Sequence, residues 1–348
     1  MFQITGAAQQ DAWRRKALPA VERVRESVWS VPVPFPGNPM RYTLAYVVVT
    51  DRDCVVIDPG FDSDEGWRRL GAGLRTAGLG HSDVTAIVAT HFHTDHLGLA
   101  KRLANASGAW IGLGADERRY ISDYEDAAEE ALADQRRMAT WGVPRDRVPE
   151  AAMSTTGLAE LKGLADADVR LDDDQYLPVP GVQIRVQATP GHTPGHICLW
   201  DESAGLIFSG DHILPRISPN VSLEIRGMDN PLLHNLRSLQ KLSGPSDYEA
   251  CPAHEYRFRG LAERAKQLHE YAMERSAEVM NAVLNQASPT VWTVAKALTW
   301  SRGWDSLSGL QLRLALSETA AHLAYLRSQG EDIPVPGLAL TVWAGSTE

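Results

Sequence analysis

Residues 91–96 are His-Phe-His-Thr-Asp-His, and four of these six side chains can bind a metal ion. The segment directly follows an apolar, strand-like stretch, and a helix is predicted to begin near Asp95. In an extended chain, His91 and His93 point to the same side, because side chains alternate with a period of two. Asp95 and His96 lie where the chain turns into the helix, so they can reach a second point nearby. This segment therefore predicts a site for two cations.

Three later residues of the same chemical types also follow strand-like stretches, namely His192, Asp211 and His254. Loops that are held by the end of a sheet are common places for functional sites. A single histidine at such a position is more often a hydrogen-bonded structural residue, so the interpretation depends on the whole set. Mixed imidazole and carboxylate ligands favour zinc, and iron and manganese are alternatives. We therefore expect two divalent metal ions, with Zn²⁺ preferred.

The chain outward from this segment alternates between strand-like and helix-like stretches. The first 25 residues are interpreted as a polar, partly helical lead-in. Strands are predicted at 42–50, 54–58, 84–89, 110–113, 169–171, 182–188, 197–200 and 206–209, and helices at 64–77, 95–106 and 230–242. This order predicts an α/β (α+β) fold of the αββα sandwich type, with two mixed sheets packed face to face and helices outside.

The length of 348 residues predicts two domains, and we place the boundary near residue 258. Residues 1–258 would form the sandwich, with a helical insert at about 114–165. Residues 259–348 would form a mainly helical domain. Its helices are predicted at 260–286, 290–298 and 308–329, followed by a strand-like tail at 338–343. Helices followed by a β element are the outline of a winged-helix-like module.

The composition, with 44% hydrophobic and 22% charged residues, is that of a globular protein that buries a large core. A net charge of −10 disfavours binding to nucleic acid, which depends on clustered Lys and Arg. No apolar stretch reaches membrane-spanning length, and the N-terminus lacks the pattern of a signal peptide. The three cysteines, Cys54, Cys198 and Cys251, form no CxxC pair. Their odd number argues against a disulfide framework, so we expect a cytoplasmic protein.

The HxHxDH segment with a later His, Asp and His resembles the signature of the metallo-beta-lactamase fold superfamily. The resemblance covers about residues 25–258, and every position of the signature is filled. It implies that His91, His93 and His192 bind one metal ion.

The same resemblance implies that Asp95, His96 and His254 bind a second metal ion, and that Asp211 bridges the two. Asp58, in the segment Val-Ile-Asp-Pro-Gly, matches an aspartate that occurs early in the family's pattern. It would support the ligand loop without touching a metal ion.

A lactamase-like domain followed by a small winged-helix-like domain resembles the lactamase-beta-2-like branch of the superfamily, which is close to glyoxalase II. Residues 308–330 resemble the terminal module of that branch. His322, within this stretch, is interpreted as a packing residue far from the metal ions.

The mechanism implied by these residues uses two cations that share a water molecule and lower its pKa. We expect the bridging hydroxide to be the nucleophile, with Asp95 as the catalytic residue that orients it. One metal ion would polarise the substrate's carbonyl or phosphoryl oxygen.

Other residues are candidates for contact with the ligands or the substrate. His196 is close enough to His192 in the sequence to support the site. Arg216 and Asn220 lie on a loop after Asp211 and could meet an anionic part of the substrate. In the helical insert, which we expect to act as a lid, the candidate contacts are Tyr120, Tyr124, Met138 and Trp141. Residues at such helical spacing more often pack in a core.

The preferred function is hydrolysis of a small acyl substrate, namely a thioester, an ester or a lactone. A phosphodiesterase or endoribonuclease of the same fold and an iron-dependent sulfur dioxygenase are the alternatives. Residues 259–348 contain eight basic and nine acidic residues, which argues against a nucleic-acid-binding face. We interpret this region as an element that forms a homodimer or covers the active site. The expected partner is thus a small-molecule substrate, not a nucleic acid or a membrane.

Overall fold

The computed structural model describes residues 2–122, 126–155, 167–224, 227–242 and 248–338. In these residues the strands are β1 (Gln3–Ile4), β2 (Glu22–Arg25), β3 (Val28–Pro34), β4 (Tyr42–Val49), β5 (Cys54–Ile57), β6 (Ala86–Val88), β7 (Trp110–Gly114), β8 (Val169–Leu171), β9 (Ile184–Ala188), β10 (Ile197–Asp201), β11 (Leu206–Gly210), β12 (Glu249–Pro252) and β13 (Phe258–Arg259).

The strands form two mixed sheets. The first has the order β2-β3-β4-β5-β6-β7-β8, and the second has the order β1-β13-β12-β11-β10-β9. In the first sheet β2 to β5 are antiparallel neighbours, whereas β5 to β8 run parallel. In the second sheet only the pair β11 and β12 is parallel within the described residues. The strands predicted at 42–50 and 54–58 are present as β4 and β5, which form an antiparallel pair with Tyr46 opposite Ile57.

The helices of the described residues are α1 (Ala7–Arg14), α2 (Asp64–Thr76), α3 (Thr94–Leu97), α4 (Ala100–Ser107), α5 (Ala115–Ser122), α6 (Ala127–Thr140), α7 (Val148–Ala151), α8 (Pro231–Lys241), α9 (Leu261–Leu284), α10 (Val291–Ala297) and α11 (Gly309–Ser328). None of them has the length and apolar character needed to cross a bilayer. Helix α2 illustrates how the local sequence starts a helix. The Ser63 side chain accepts a hydrogen bond from the Gly66 amide, and Asp64 and Glu65 occupy the first turn. Both features stabilise a helix N-terminus.

The inner faces of the two sheets meet in one hydrophobic core. Tyr46 of β4 and Phe208 of β11 face each other with ring centroids 5.1 Å apart, and both are almost completely buried. The Tyr46 hydroxyl donates a hydrogen bond to the Pro252 carbonyl, at 2.9 Å. Burying a side chain such as Phe208 stabilises a fold by about 1.5–3 kcal/mol. The predicted sandwich of two sheets is therefore confirmed.

Helix α2 packs on the outer face of the first sheet. Leu70 and Leu74 of the helix lie in one buried cluster with Val31 and Val33 of β3. Gly73 allows this close packing, because a Cβ at that position would collide with the Val31 side chain.

Several details of the fold differ from the prediction, and the short strands β1, β2 and β13 were not predicted. Strand β3 was missed: it contains Pro32 and Pro34, which disfavour an interior strand, yet it pairs along its whole length with β4. The single helix predicted at 95–106 is divided into α3 and α4 around Gly98. At Gly98 the chain passes so close to Asp62 that a Cβ would lie 2.9 Å from the Asp62 amide nitrogen.

The helical insert and the C-terminal helices share a hydrophobic core. Met138 of α6 and Trp141, which directly follows that helix, lie in one buried cluster with Val279 of α9 and Leu316 of α11. The division into domains at residue 258 stays a prediction. The predicted strand at 338–343 lies outside the described residues except for Leu338, so the winged-helix interpretation also stays a prediction.

Candidate metal centre

Three histidine rings converge after the end of strand β6. The Nε2 atom of His91 lies 2.8 Å from Nδ1 of His93, and Nε2 of His192 lies 3.1 Å from the same Nδ1 atom. The loop between β6 and α3 carries the first two rings, and the loop between β9 and β10 carries the third. The three nitrogen atoms surround one point that a cation could occupy.

A second group contains two carboxylates and two imidazoles. Oδ2 of Asp95 lies 3.2 Å from Nε2 of His254, which lies 3.3 Å from Oδ1 of Asp211. Nε2 of His96 is 3.6 Å from each of these two carboxylate oxygens. The other oxygen of Asp211, Oδ2, faces Nε2 of His192 at 3.8 Å. Asp211 therefore lies between the two groups, with one oxygen toward each.

Backbone carbonyls fix two of the histidine rings. Nδ1 of His192 donates to the carbonyl of Asn220 at 2.7 Å, and Nδ1 of His254 donates to the carbonyl of Tyr42 at 2.9 Å. Because a carbonyl only accepts, each bond places the proton on Nδ1 and directs the Nε2 atom into the site.

Asp58 holds the ligand segment from behind. Its Oδ1 accepts from the Thr90 amide at 2.7 Å, and its Oδ2 accepts from the Thr90 hydroxyl at 2.9 Å and from Nδ1 of His96 at 3.0 Å. Since the Thr90 hydroxyl gives its proton to Asp58, it accepts from Nδ1 of His91 at 3.1 Å. Asp58 has a left-handed backbone, with φ of 50°, and the strain is compensated by these contacts.

The first group favours neutral imidazoles. Burial, followed by the neighbouring rings of His96 and His93, lowers the pKa of His91 well below its usual value. Burial and the adjacent His192 lower the pKa of His93 to about 3. A neutral imidazole keeps the lone pair that a metal ion requires.

In the second group, the two carboxylates attract positive charge into the site. Burial lowers the pKa of His254, but the Asp211 and Asp95 carboxylates outweigh it and raise that pKa to about 10. The same balance, with Asp95 as the leading carboxylate, raises the pKa of His96. Burial opposes ionisation of Asp95, yet His96 and His254 lower its pKa to about 2. Buried carboxylates of this kind need compensating cations.

The residues fit two divalent metal ions. Within the described part of the chain, Nε2 of His96 and Oδ1 of Asp211 are buried without a hydrogen-bond partner, which is rare in a folded protein. All seven predicted ligand side chains belong to three overlapping groups of suitable geometry. Nitrogen and carboxylate donors in this mixture suit zinc, iron or manganese.

His196 lies directly behind Asp211. Its Nε2 atom accepts from the Asp211 amide at 3.2 Å, and its Nδ1 atom is 2.9 Å from the Thr189 hydroxyl. The ring is buried, 5.2 Å from that of His91 by ring centroids. The structure thus places His196 behind the seven side chains, and its supporting role stays a prediction.

Glu117 of α5 was not predicted as a residue of the site. Its two carboxylate oxygens accept from the Phe92 amide at 2.8 Å and the Gly195 amide at 2.7 Å. These amides belong to the two loops that carry His93 and His192, so one buried side chain joins both loops. Burial raises the pKa of Glu117 to about 7. The sequence signal for this role was a carboxylate in the first turn of the helix that follows β7. Acidic residues at the start of a helix are usually exposed to solvent, so this signal did not indicate a buried residue.

An open cavity of about 610 Å³ lies beside the cluster of seven side chains. Five of the seven line it, namely His93, Asp95, His192, Asp211 and His254. Tyr120 lines the cavity as predicted and stacks on Phe92, with ring centroids 5.3 Å apart. Asn220 also lines it, although its main contact with the site is the carbonyl that orients His192.

Three predicted substrate contacts need correction. Met138 and Trp141 are fully buried in the core shared with the C-terminal helices and do not line the cavity. Arg216 forms an ion pair with Glu255, at 2.9 Å, and is also absent from the cavity wall. Tyr124 lies outside the described residues. His322 packs away from the site, with Nδ1 2.9 Å from the Ser276 hydroxyl.

Comparison with known proteins agrees with this architecture. Residues 39–254 match the model of the metallo-beta-lactamase superfamily. The probable metallo-hydrolase YqjP of Bacillus subtilis is 26% identical over 86% of this chain and 91% of its own length. The hydroxyacylglutathione hydrolase of Pseudomonas entomophila is 25% identical over 66% of this chain and 68% of its own length.

Among solved structures, the metallo-beta-lactamase family protein TTHA1429 from Thermus thermophilus superposes with a TM-score of 0.72 at 26% identity. The similarity covers 90% of this chain and 98% of that one. It therefore extends beyond the sheets into the C-terminal helices.

Proposed function

This chain belongs to the metallo-beta-lactamase superfamily and is a metal-dependent hydrolase, and we propose that it hydrolyses an acyl thioester, ester or lactone of a small molecule. The observation that best supports this proposal is the cavity of about 610 Å³. Its wall includes five of the seven clustered His and Asp side chains. A concave site with a few convergent polar groups suits a small ligand better than a polymer. The relatives named hydroxyacylglutathione hydrolase favour a thioester.

We assign two zinc ions to this centre. His91, His93 and His192 would hold one ion through the three nitrogens that converge. Asp95, His96 and His254 would hold the other, with Asp211 between them. When bound, two such cations lower the pKa of water toward neutrality and act as Lewis acids on an acyl oxygen.

The chain's own residues would orient the reactants. Asp95 lines the cavity, and its carboxylate would accept a hydrogen bond from the attacking water and so direct the water's lone pair to the carbonyl carbon. Water adds to that carbon, the acyl–sulfur bond breaks, and a carboxylic acid and a free thiol form. Asp58, Glu117 and His196 would keep the ligand loops in place without touching the substrate.

The first test is the release of thiol from a simple acyl thioester by the zinc-loaded full chain. Because Asp95→Asn keeps the shape but removes the charge, we expect it to lower kcat/KM by at least about 100-fold. Asp51→Asn, in an exposed turn, is the matched control and should remain at the wild-type value.

Metal analysis completes the test. Two zinc ions per wild-type chain together with thioester hydrolysis would support the proposal. Near-wild-type activity of Asp95→Asn would show that its assigned role is wrong. Two metal ions without cleavage of a thioester, ester or lactone would exclude the acyl hydrolase and leave the phosphodiesterase as the next hypothesis.

A further inference from the structure

The cavity wall beyond the clustered His and Asp residues is mainly apolar. Leu310 and Leu314 of α11 contribute to it, together with Met153 and Met228. Leu310 is 63% exposed, so it leaves apolar surface uncovered on the cavity wall. Apolar pockets bind ligands by removing apolar surface from water.

The charges on this part of the wall are already paired. Among the described residues that line the cavity, Arg313 is the only Lys or Arg. Its guanidinium forms ion pairs with Asp134 and Glu224, and its side chain is only 8% exposed. A carboxylate or phosphate on a substrate would have to displace one of these acidic partners to reach it. Within the described residues, the wall therefore offers no unpaired basic side chain to an anionic group.

The methionines make the wall adaptable. Met153 and Met228 have flexible, unbranched side chains that can follow the shape of different apolar ligands. They lie on segments that are distant in the sequence, and α11 provides a third side of the same surface.

From these observations we propose that the substrate carries an uncharged, apolar acyl group of medium length, which the wall containing Leu310, Leu314, Met153 and Met228 binds. The inference rests on the proposed function, because it names the substrate class of the same site. It also sets this chain apart from an enzyme for thioesters of glutathione, whose carrier bears two carboxylates at neutral pH.

Chain-length dependence tests the proposal directly. We would measure kcat/KM for acetyl, butyryl, hexanoyl and octanoyl thioesters of one small neutral thiol, N-acetylcysteamine. Burial of each added methylene should raise kcat/KM roughly three- to fourfold until the cavity is filled. Equal values for acetyl and octanoyl substrates, or faster cleavage of S-lactoylglutathione than of the octanoyl thioester, would overturn the proposal.

A binding measurement separates this inference from the reaction itself. Thioethers of the same thiol cannot be hydrolysed, and calorimetry should show tighter binding of the octyl than of the methyl compound. Octyl binding without cleavage of any thioester would contradict the proposed function and support the apolar site. Cleavage of thioesters without preferential binding of the octyl compound would support the proposed function and contradict the apolar site.

A pair of variants tests whether the cavity wall causes the preference for long acyl chains. Leu310→Glu adds a charge to the cavity wall at an exposed position, so folding should be unaffected. We expect the ratio of octanoyl to acetyl kcat/KM to fall at least about tenfold, since a charge beside the chain opposes its desolvation. Leu284→Glu, on α9 at 68% exposure and away from the cavity, should keep the wild-type ratio. An unchanged ratio in Leu310→Glu would exclude this wall as the binding surface.

Discussion

Two of the loops that carry the clustered histidines are secured in different ways. The segment 91–96 is fixed from within the sandwich, by hydrogen bonds to the buried carboxylates of Asp58 and Glu117. His192 is oriented by the carbonyl of Asn220, whose side chain donates to Glu318 of α11 at 3.2 Å. The first loop therefore depends on Asp58, which follows β5, and on Glu117 of α5. The second loop also contacts Glu117 and depends in addition on the C-terminal helices.

This difference assigns separate tasks to the two parts of the chain. The sandwich supplies the seven side chains of the centre, whereas α11 supplies a wall of the cavity and an indirect contact with one histidine. Loss of a sandwich contact should therefore affect the centre itself, and loss of a helix contact should affect it weakly. Three substitutions test this ranking.

The largest effect is expected for Asp58→Ala. The change leaves the Thr90 amide, the Thr90 hydroxyl and Nδ1 of His96 without their acceptor in a buried region. Each unsatisfied group costs about 1–3 kcal/mol, and loss of a residue that orients a metal ligand typically lowers affinity or activity about 10–100-fold. We expect fewer than two metal ions per chain by elemental analysis and a matching loss of kcat/KM. Full metal content with unchanged activity would contradict the role of Asp58.

A smaller effect is expected for Glu117→Gln, because the amide keeps one acceptor oxygen but presents an NH₂ group to one of the two backbone amides. We expect a free energy of unfolding lower by about 1–3 kcal/mol at pH 5, measured by urea denaturation. Glu331→Gln, on the exposed surface, is the control.

The pH dependence of the same pair sharpens the test. Burial raises the pKa of Glu117 from an ordinary value of 4.5 to about 7, so the folded state binds more protons than the unfolded state between these values. Stability contributed by the protonated carboxyl is therefore present below pH 4.5 and lost as the pH rises to about 7. The advantage of the wild type over Glu117→Gln should shrink across this window. A constant difference would show that Glu117 does not titrate there.

The smallest effect is expected for Glu318→Gln. An amide in place of the carboxylate weakens the hydrogen bond from Asn220, but the carbonyl of Asn220 still accepts from His192. We expect a decrease in kcat/KM of no more than about threefold, with both metal ions retained. Glu274→Gln, exposed on α9, is the matched control. A loss as large as that of Asp58→Ala would show that the C-terminal helices hold the centre as firmly as the sheets do.

Much of the fold and the position of the seven side chains were predictable from local patterns. The HxHxDH segment at the end of a strand fixes where the centre lies, and alternating strands and helices indicate the sandwich. What was missed depends on contacts between distant parts of the chain. Strand β3 forms because β4 offers a complete partner, and Glu117 is buried because two loops close over it.

The substrate-facing residues were the least predictable. Met138 and Trp141 have the helical spacing of a lid, but the C-terminal helices bury them in a shared core. Leu310 and Leu314 reach the cavity from a helix that begins more than fifty residues after His254. No local pattern shows which side of a helix a distant chain segment will cover.

The use of backbone carbonyls to orient His192 and His254 has a consequence for how such a protein can evolve. A carbonyl belongs to every residue type, so substitutions at positions 42 and 220 leave the acceptor in place as long as the chain keeps its path. Asp58 and Glu117, in contrast, are replaceable only by a side chain with the same acceptors in the same place. Lineages could therefore vary the cavity rim around residue 220 and acquire new substrates without rebuilding the proton arrangement of the histidines beneath it.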